Sequence, residues 1–132
     1  MKKSITTIFL LILSAQAYAC IISPLYDVAM NVEKFKKKAD LVFFGKLEQT
    51  TLINKYIHAS NFTIIKTYKG KASKQVTIIN KLHSSCSRPF SKVGTAYYVF
   101  ANKTNKENEF IIDGYATFVP LNVAIETNMV LK

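Results

Sequence analysis

The sequence has no glycine-rich phosphate loop, no paired catalytic acids and only two histidines, His58 and His83, with no carboxylate cluster beside either. Phosphoryl transfer, paired-acid hydrolysis and a resident metal site each need one of those features. His83 and Cys86 are three residues apart and resemble a base with a thiol nucleophile. A bridged Cys86 beside a polar-loop histidine explains the pair without catalysis. His58, alone in a strand, reads as a surface or packed imidazole, and Asp40 and Asp113 read as residues that cap or end elements. The chain is not read as an enzyme, and nothing in it calls for a cofactor. Acids are scarce, 8 against 18 basic residues, a net charge of +10. That excess suggests an anionic partner or a solubilising shell.

Long apolar runs are scarce too. One stands at the start, from Ile5 to Leu13, behind Lys2 and Lys3 and ahead of Ala17 and Ala19. It is short for a bilayer span, and no second run of spanning length follows. Residues 1–19 read as a bacterial-type export signal cut after Ala19, leaving residues 20–132 as one secreted or periplasmic domain that begins with Cys20. Export sets nucleic acid aside as a partner. The triplets Asn61-Phe62-Thr63 and Asn102-Lys103-Thr104 are expected to stay unglycosylated, because the Met1-Lys2-Lys3 start is of bacterial type and only a eukaryotic secretory route would use them. The only cysteines are Cys20 and Cys86, and an even count in an oxidising compartment predicts a disulfide. Closing so long a loop stabilises a small domain by roughly 4 kcal/mol in the chain-entropy model.

Ser23-Pro24 predicts a helix start, Ser23 capping and Pro24 in the first turn. Val28, Val32, Phe35 and Ala39 give it one apolar face. Lys34, Lys36, Lys37 and Lys38 crowd its C-terminal end, where cations suit the helix dipole. Beyond Asp40 the pattern is β: Leu41–Leu47 with a bulge or bend at Gly45, Tyr56–Tyr68, Val76–Leu82, Tyr97–Ala101 and Phe110–Ile112. A polar loop, His83–Ser91, carries Cys86, and Leu121–Leu131 is weakly helical. Five strands behind one N-terminal helix predict an all-β barrel or sandwich with flanking helices. Closure into a barrel is favoured because it removes exposed edges.

Several strings fall in a recognisable order. They are Cys20, Ala39-Asp40-Leu41-Val42-Phe43-Phe44-Gly45-Lys46, Tyr68-Lys69-Gly70, Ser84-Ser85-Cys86, Gly94 with Ala96-Tyr97-Tyr98-Val99-Phe100-Ala101, and Phe118-Val119-Pro120. Together they resemble the inhibitory domain of the tissue inhibitors of metalloproteinases and the wider netrin-like module. The resemblance implies a five-stranded Greek-key barrel of the oligonucleotide/oligosaccharide-binding type with packed helices. It implies a protein partner, a zinc metalloprotease whose catalytic zinc is chelated by the α-amine and carbonyl oxygen of Cys20. Ile21 would fill the pocket beside that zinc, and the Cys20–Cys86 bond would lock the wedge to the barrel. The sequence departs from the family at Ile22, where a second cysteine is usual, and at Ile21, where a small hydroxyl residue is usual.

Two alternatives stand beside inhibition. One is a non-inhibitory adaptor of the periplasm or cell surface, with Lys81, Arg88, Lys92 and the Lys34–Lys38 cluster as candidate contacts. The other is an outer-membrane lipoprotein carrying lipid on Cys20, the one route to a membrane; Ala17 and Tyr18 suit ordinary signal cleavage better.

Overall fold

From Leu41 onward, alternate residues face inward, and the computed structural model of the protein shows what they enclose. It describes residue 20 and residues 22–132; the expected export segment and Ile21 lie outside the described residues. The elements run α1 (Pro24–Met30), α2 (Val32–Lys38), β1 (Leu41–Asn54), β2 (Ile57–Lys69), β3 (Gln75–Lys81), β4 (Ala96–Lys103), β5 (Glu109–Asp113), β6 (Phe118–Pro120) and α3 (Leu121–Glu126). The strands form one mixed sheet in the order β1-β2-β3-β5-β4-β6, and β4 also pairs with β1. That last pairing, from Leu41↔Ala101 to Lys46↔Ala96, closes a ring of five strands. All ring pairings are antiparallel except β3–β5. The short β6 lies outside the ring, on the other edge of β4.

The inward residues make one core. Leu41, Phe43, Leu47, Phe62, Ile78 and Val99 are all but inaccessible. Phe62 meets Phe43 and Phe90 edge-on, with centroids 5.5 and 4.9 Å apart. Each such ring contributes on the order of 1.5–3 kcal/mol by leaving water. A second core forms where the helices cover part of the outer face. There Val28, Ala29, Val123 and Ala124 close over Val42, Phe100 and Val119.

The expected N-terminal helix is two helices. At Asn31 the backbone leaves helical geometry (φ −124°, ψ 39°), and its side-chain amide donates to the Asp27 carbonyl and carboxylate at 3.1 and 2.9 Å. Asparagine competes with the helix ladder in this way. The Ser23 hydroxyl makes no cap bond, contrary to expectation; the Ser23 carbonyl accepts from the Tyr26 and Asp27 amides at 3.1 Å. The strand expected to stop at Leu47 continues to Asn54, because β1 and β2 pair along their whole length. That extension escapes a periodicity test because it projects past the ring and both its faces meet water. The C-terminal helix ends at Glu126, earlier than the expected Leu131.

Strand directions give the barrel two distinct ends. The α2–β1, β2–β3 and β4–β5 connections share one end, and the β1–β2 and β3–β4 connections share the other. Gly70 turns the chain at the first end with φ +82°, and a Cβ there would collide with the Asp40 carbonyl oxygen. Gly114 has φ +78° with open space around it. Gly70→Ala should therefore cost more stability than Gly114→Ala, about 2–3 against about 1 kcal/mol, read as shifts of the urea midpoint.

Candidate functional site

Cys20 reaches the second end of the barrel and is bonded to Cys86, with Cα atoms 5.6 Å apart. The loop that carries Cys86 is held from several sides. The Cys86 amide donates to the Ser84 hydroxyl at 3.0 Å, and the Cys86 carbonyl accepts from the Ala116 amide at 2.9 Å. Ser87 donates to the carbonyl of Lys81, the last residue of β3, at 3.2 Å. Asn80, only 1% exposed, points its amide into the loop and donates to the Arg88 carbonyl at 2.9 Å. Phe90 then drops into the barrel core, 4.2 Å from Phe118 between centroids. The expectation of a purely polar loop is corrected by Phe90: the loop is nailed to the core by an aromatic ring.

The helix α1 is fixed as well. Tyr26 and Asp27, adjacent in α1, make long-range bonds: Tyr26 donates to the Glu126 carboxylate at 2.8 Å, and Tyr115 donates to the Asp27 carboxylate. Burial, reinforced by that carboxylate, pushes the Tyr115 phenol from its ordinary 10.0 up to about 12. Cys20 therefore stands between two anchors, the Cys86 loop behind it and α1 ahead of it.

The β1–β2 hairpin projects past this same end. The Asn54 carboxamide oxygen accepts from the amides of Tyr56 and Ile57 at 2.9 and 3.0 Å, which shapes the turn. The tip holds Leu52, Ile53 and Tyr56, which are 66, 58 and 52% exposed. Exposed apolar side chains gathered at a projecting tip mark contact surfaces more often than scattered ones do. Reading the sequence by periodicity missed this tip, because its two turn residues, Lys55-Tyr56, are not among the glycine-containing pairs that mark a tight hairpin.

The other singled-out residues lie apart. Arg88 turns back on its own loop, its guanidinium donating to the carbonyls of Ser85 and Ser87 at 2.8 and 2.7 Å. Lys81 and His83 face Asp113 at 3.9 and 3.3 Å. Lys92 stays near the Cys20 end, where its amide donates to the Tyr97 hydroxyl at 3.3 Å. The Lys34–Lys38 cluster belongs to α2, whose last turn leads to the opposite end of the barrel. His58 sits in β2 opposite Asn80. Among the described residues no group of His, Cys, Asp and Glu is placed to hold a metal ion. Bridged to Cys20, Cys86 offers no thiol nucleophile beside His83.

No family model matches the chain, and no curated protein matches it. The disulfide fits an oxidising compartment. Among the described residues, no helix is long and apolar enough to cross a membrane. The lipidated alternative needs the Cys20 sulfur for a thioether, and that sulfur is the one in the disulfide.

Two expectations follow. Cys86→Ser should lower stability by about 2–4 kcal/mol, measured by urea unfolding without reductant. Tyr115 supplies a pH signature. The folded chain holds the Tyr115 proton more tightly than the unfolded chain, so its contribution is full below pH 10.0 and lost as pH rises toward about 12. Phenolate absorbance should show a late phase near that pH, absent in Tyr115→Phe, together with a steeper alkaline loss of stability in the parent protein.

Proposed function

We propose that the chain is an exported protein-binding module of the metalloproteinase-inhibitor type, which docks through the barrel end that carries Cys20. The observation that carries this reading is the bond from Cys20 to Cys86. It ties the residue expected at the mature N-terminus to a loop anchored in the core. The β1-β2-β3-β5-β4 ring with its parallel β3–β5 pair supports the oligonucleotide/oligosaccharide-binding topology expected from the resemblance.

The chemistry follows from a free N-terminus. Cleavage after Ala19 would liberate an α-amine on Cys20, with a pKa near ~7.7–8.0 and hence a sizeable neutral fraction at physiological pH. That amine and the Cys20 carbonyl oxygen form a five-membered chelate with a zinc that keeps an open position in a target protease. The zinc belongs to the target, not to this chain. A wedge already held by a disulfide loses little freedom on docking. Ile21 would add apolar burial on the order of 2 kcal/mol in a matching pocket. The tip residues Leu52, Ile53 and Tyr56 would widen the contact beside the wedge.

The exposed hairpin tip also favours a second reading, adaptor binding without inhibition, because that surface needs no amine. One comparison separates the two. Protein beginning at Cys20 and protein with one added alanine before it are assayed against a panel of zinc endopeptidases. The inhibitor reading expects the authentic form to block at least one enzyme and the extended form to lose about 100-fold or more, with equal thermal midpoints. Equal inhibition by both forms removes the chelation mechanism. Inhibition by neither leaves the adaptor.

A further inference from the structure

We propose that the outer face built from Phe44, Tyr68 and Tyr98 with Lys46 and Lys66 binds an acidic polysaccharide, on a side of the barrel distinct from the Cys20 end. The helices cover Val42, Phe100 and Val119; Tyr68 and Tyr98 pack at the border of that second core and, with Phe44, are only half-buried. The rings form a continuous strip. Phe44 and Tyr98 lie 4.5 Å apart between centroids, Tyr98 and Tyr68 6.2 Å. The Lys66 ammonium stands 4.9 Å from the Tyr68 ring centre. Lys46 follows Phe44 on the same face of β1 and is exposed, with Glu48 next along that face.

The strip runs into a basic region. Val42 pairs with Lys69, whose ammonium donates to the carbonyls of Lys36 and Lys37 at 3.0 and 3.1 Å, fixing it against the end of α2. Lys36, Lys37 and Lys69 surround an open hollow of about 440 Å³ with Glu33 at its rim. A sugar ring presents C–H bonds that stack on aromatic faces, and a carboxylated sugar adds an anion at each repeat for the lysines. Half-exposed rings alternating with ammonium groups meet both demands at once. A bilayer would call for apolar side chains able to enter it, and a bare phosphate would not use the rings.

The test is affinity electrophoresis of the disulfide-bonded protein through gels containing polygalacturonate, with neutral dextran as a parallel gel and phosphatidylglycerol vesicles in a sedimentation arm. The expected result is retardation by polygalacturonate alone. Lys66→Glu and Tyr68→Ala should each weaken it by about tenfold, while Tyr68→Phe, which keeps the ring, should retain it. Lys55→Glu, at the hairpin tip, serves as the charge control and should change little. Thermal midpoints identify any variant that fails to fold, and Tyr68→Leu replaces Tyr68→Ala in that event. No retardation, equal losses from Lys55→Glu and Lys66→Glu, indifference to loss of the Tyr68 ring, or tighter binding to vesicles would each overturn the proposal.

Discussion

Cys86 can hold Cys20 in place because the loop that carries Cys86 is itself held on several sides. It is fastened by backbone bonds to Ser84 and Ala116, by the Asn80 amide on the Arg88 carbonyl, and by Phe90 in the barrel core. A disulfide to a loose loop would tether Cys20 without orienting it. Here the tether ends at a half-buried cysteine whose loop is pinned through Phe90 to a close-packed interior, where a ring that shifts loses contacts on every side. Asn80 shows the cost accepted for this arrangement. It occupies an inward position in β3 that an aliphatic residue would fill, and among the described residues its carboxamide oxygen has no hydrogen-bond partner. What the residue gives in return is the bond that restrains the loop.

Closure of the ring by β1 and β4 makes the rest possible. It uses only the first part of β1, Leu41 to Lys46, and frees the remainder to run out as a hairpin at the barrel end that carries the disulfide. The same closure leaves the outer face of β1 and β4 to be shared. The helices take one part of it, while Phe44 and Tyr98 remain half-exposed beside Lys66. One set of strands thus provides an enclosed core, a projecting tip and an aromatic strip, each set by which residues alternate inward.

Much of this was legible in the chain. The strands from Leu41, Tyr56, Tyr97 and Phe110 declared themselves by β-rich composition and that from Val76 by alternation, and the register break between Phe44 and Gly45 lies at the bulge or bend expected at Gly45. The cysteine pair followed from count and compartment. Other features gave no local signal. Phe90 sits among Arg88, Pro89 and Ser91, so nothing nearby marks it as core; only the folded loop carries it inward. The break at Asn31 was masked by an apolar face that runs on from Val28 through Val32 to Phe35. The strand at Phe118–Pro120 is too short for any period to show. Exposure at Leu52 and Ile53 depends on how far the hairpin outruns its neighbours, a tertiary fact.

The account rests on a freed Cys20 joined through its sulfur to an anchored loop. Its most direct test is mass mapping of the natively exported protein, digested without reduction after free thiols are alkylated. The account predicts a peptide pair linking Cys20 to Cys86, with Cys20 as the first residue and its amine unmodified. Recovery of both cysteines in alkylated form, or of Cys20 carrying lipid or preceded by further residues, would contradict it.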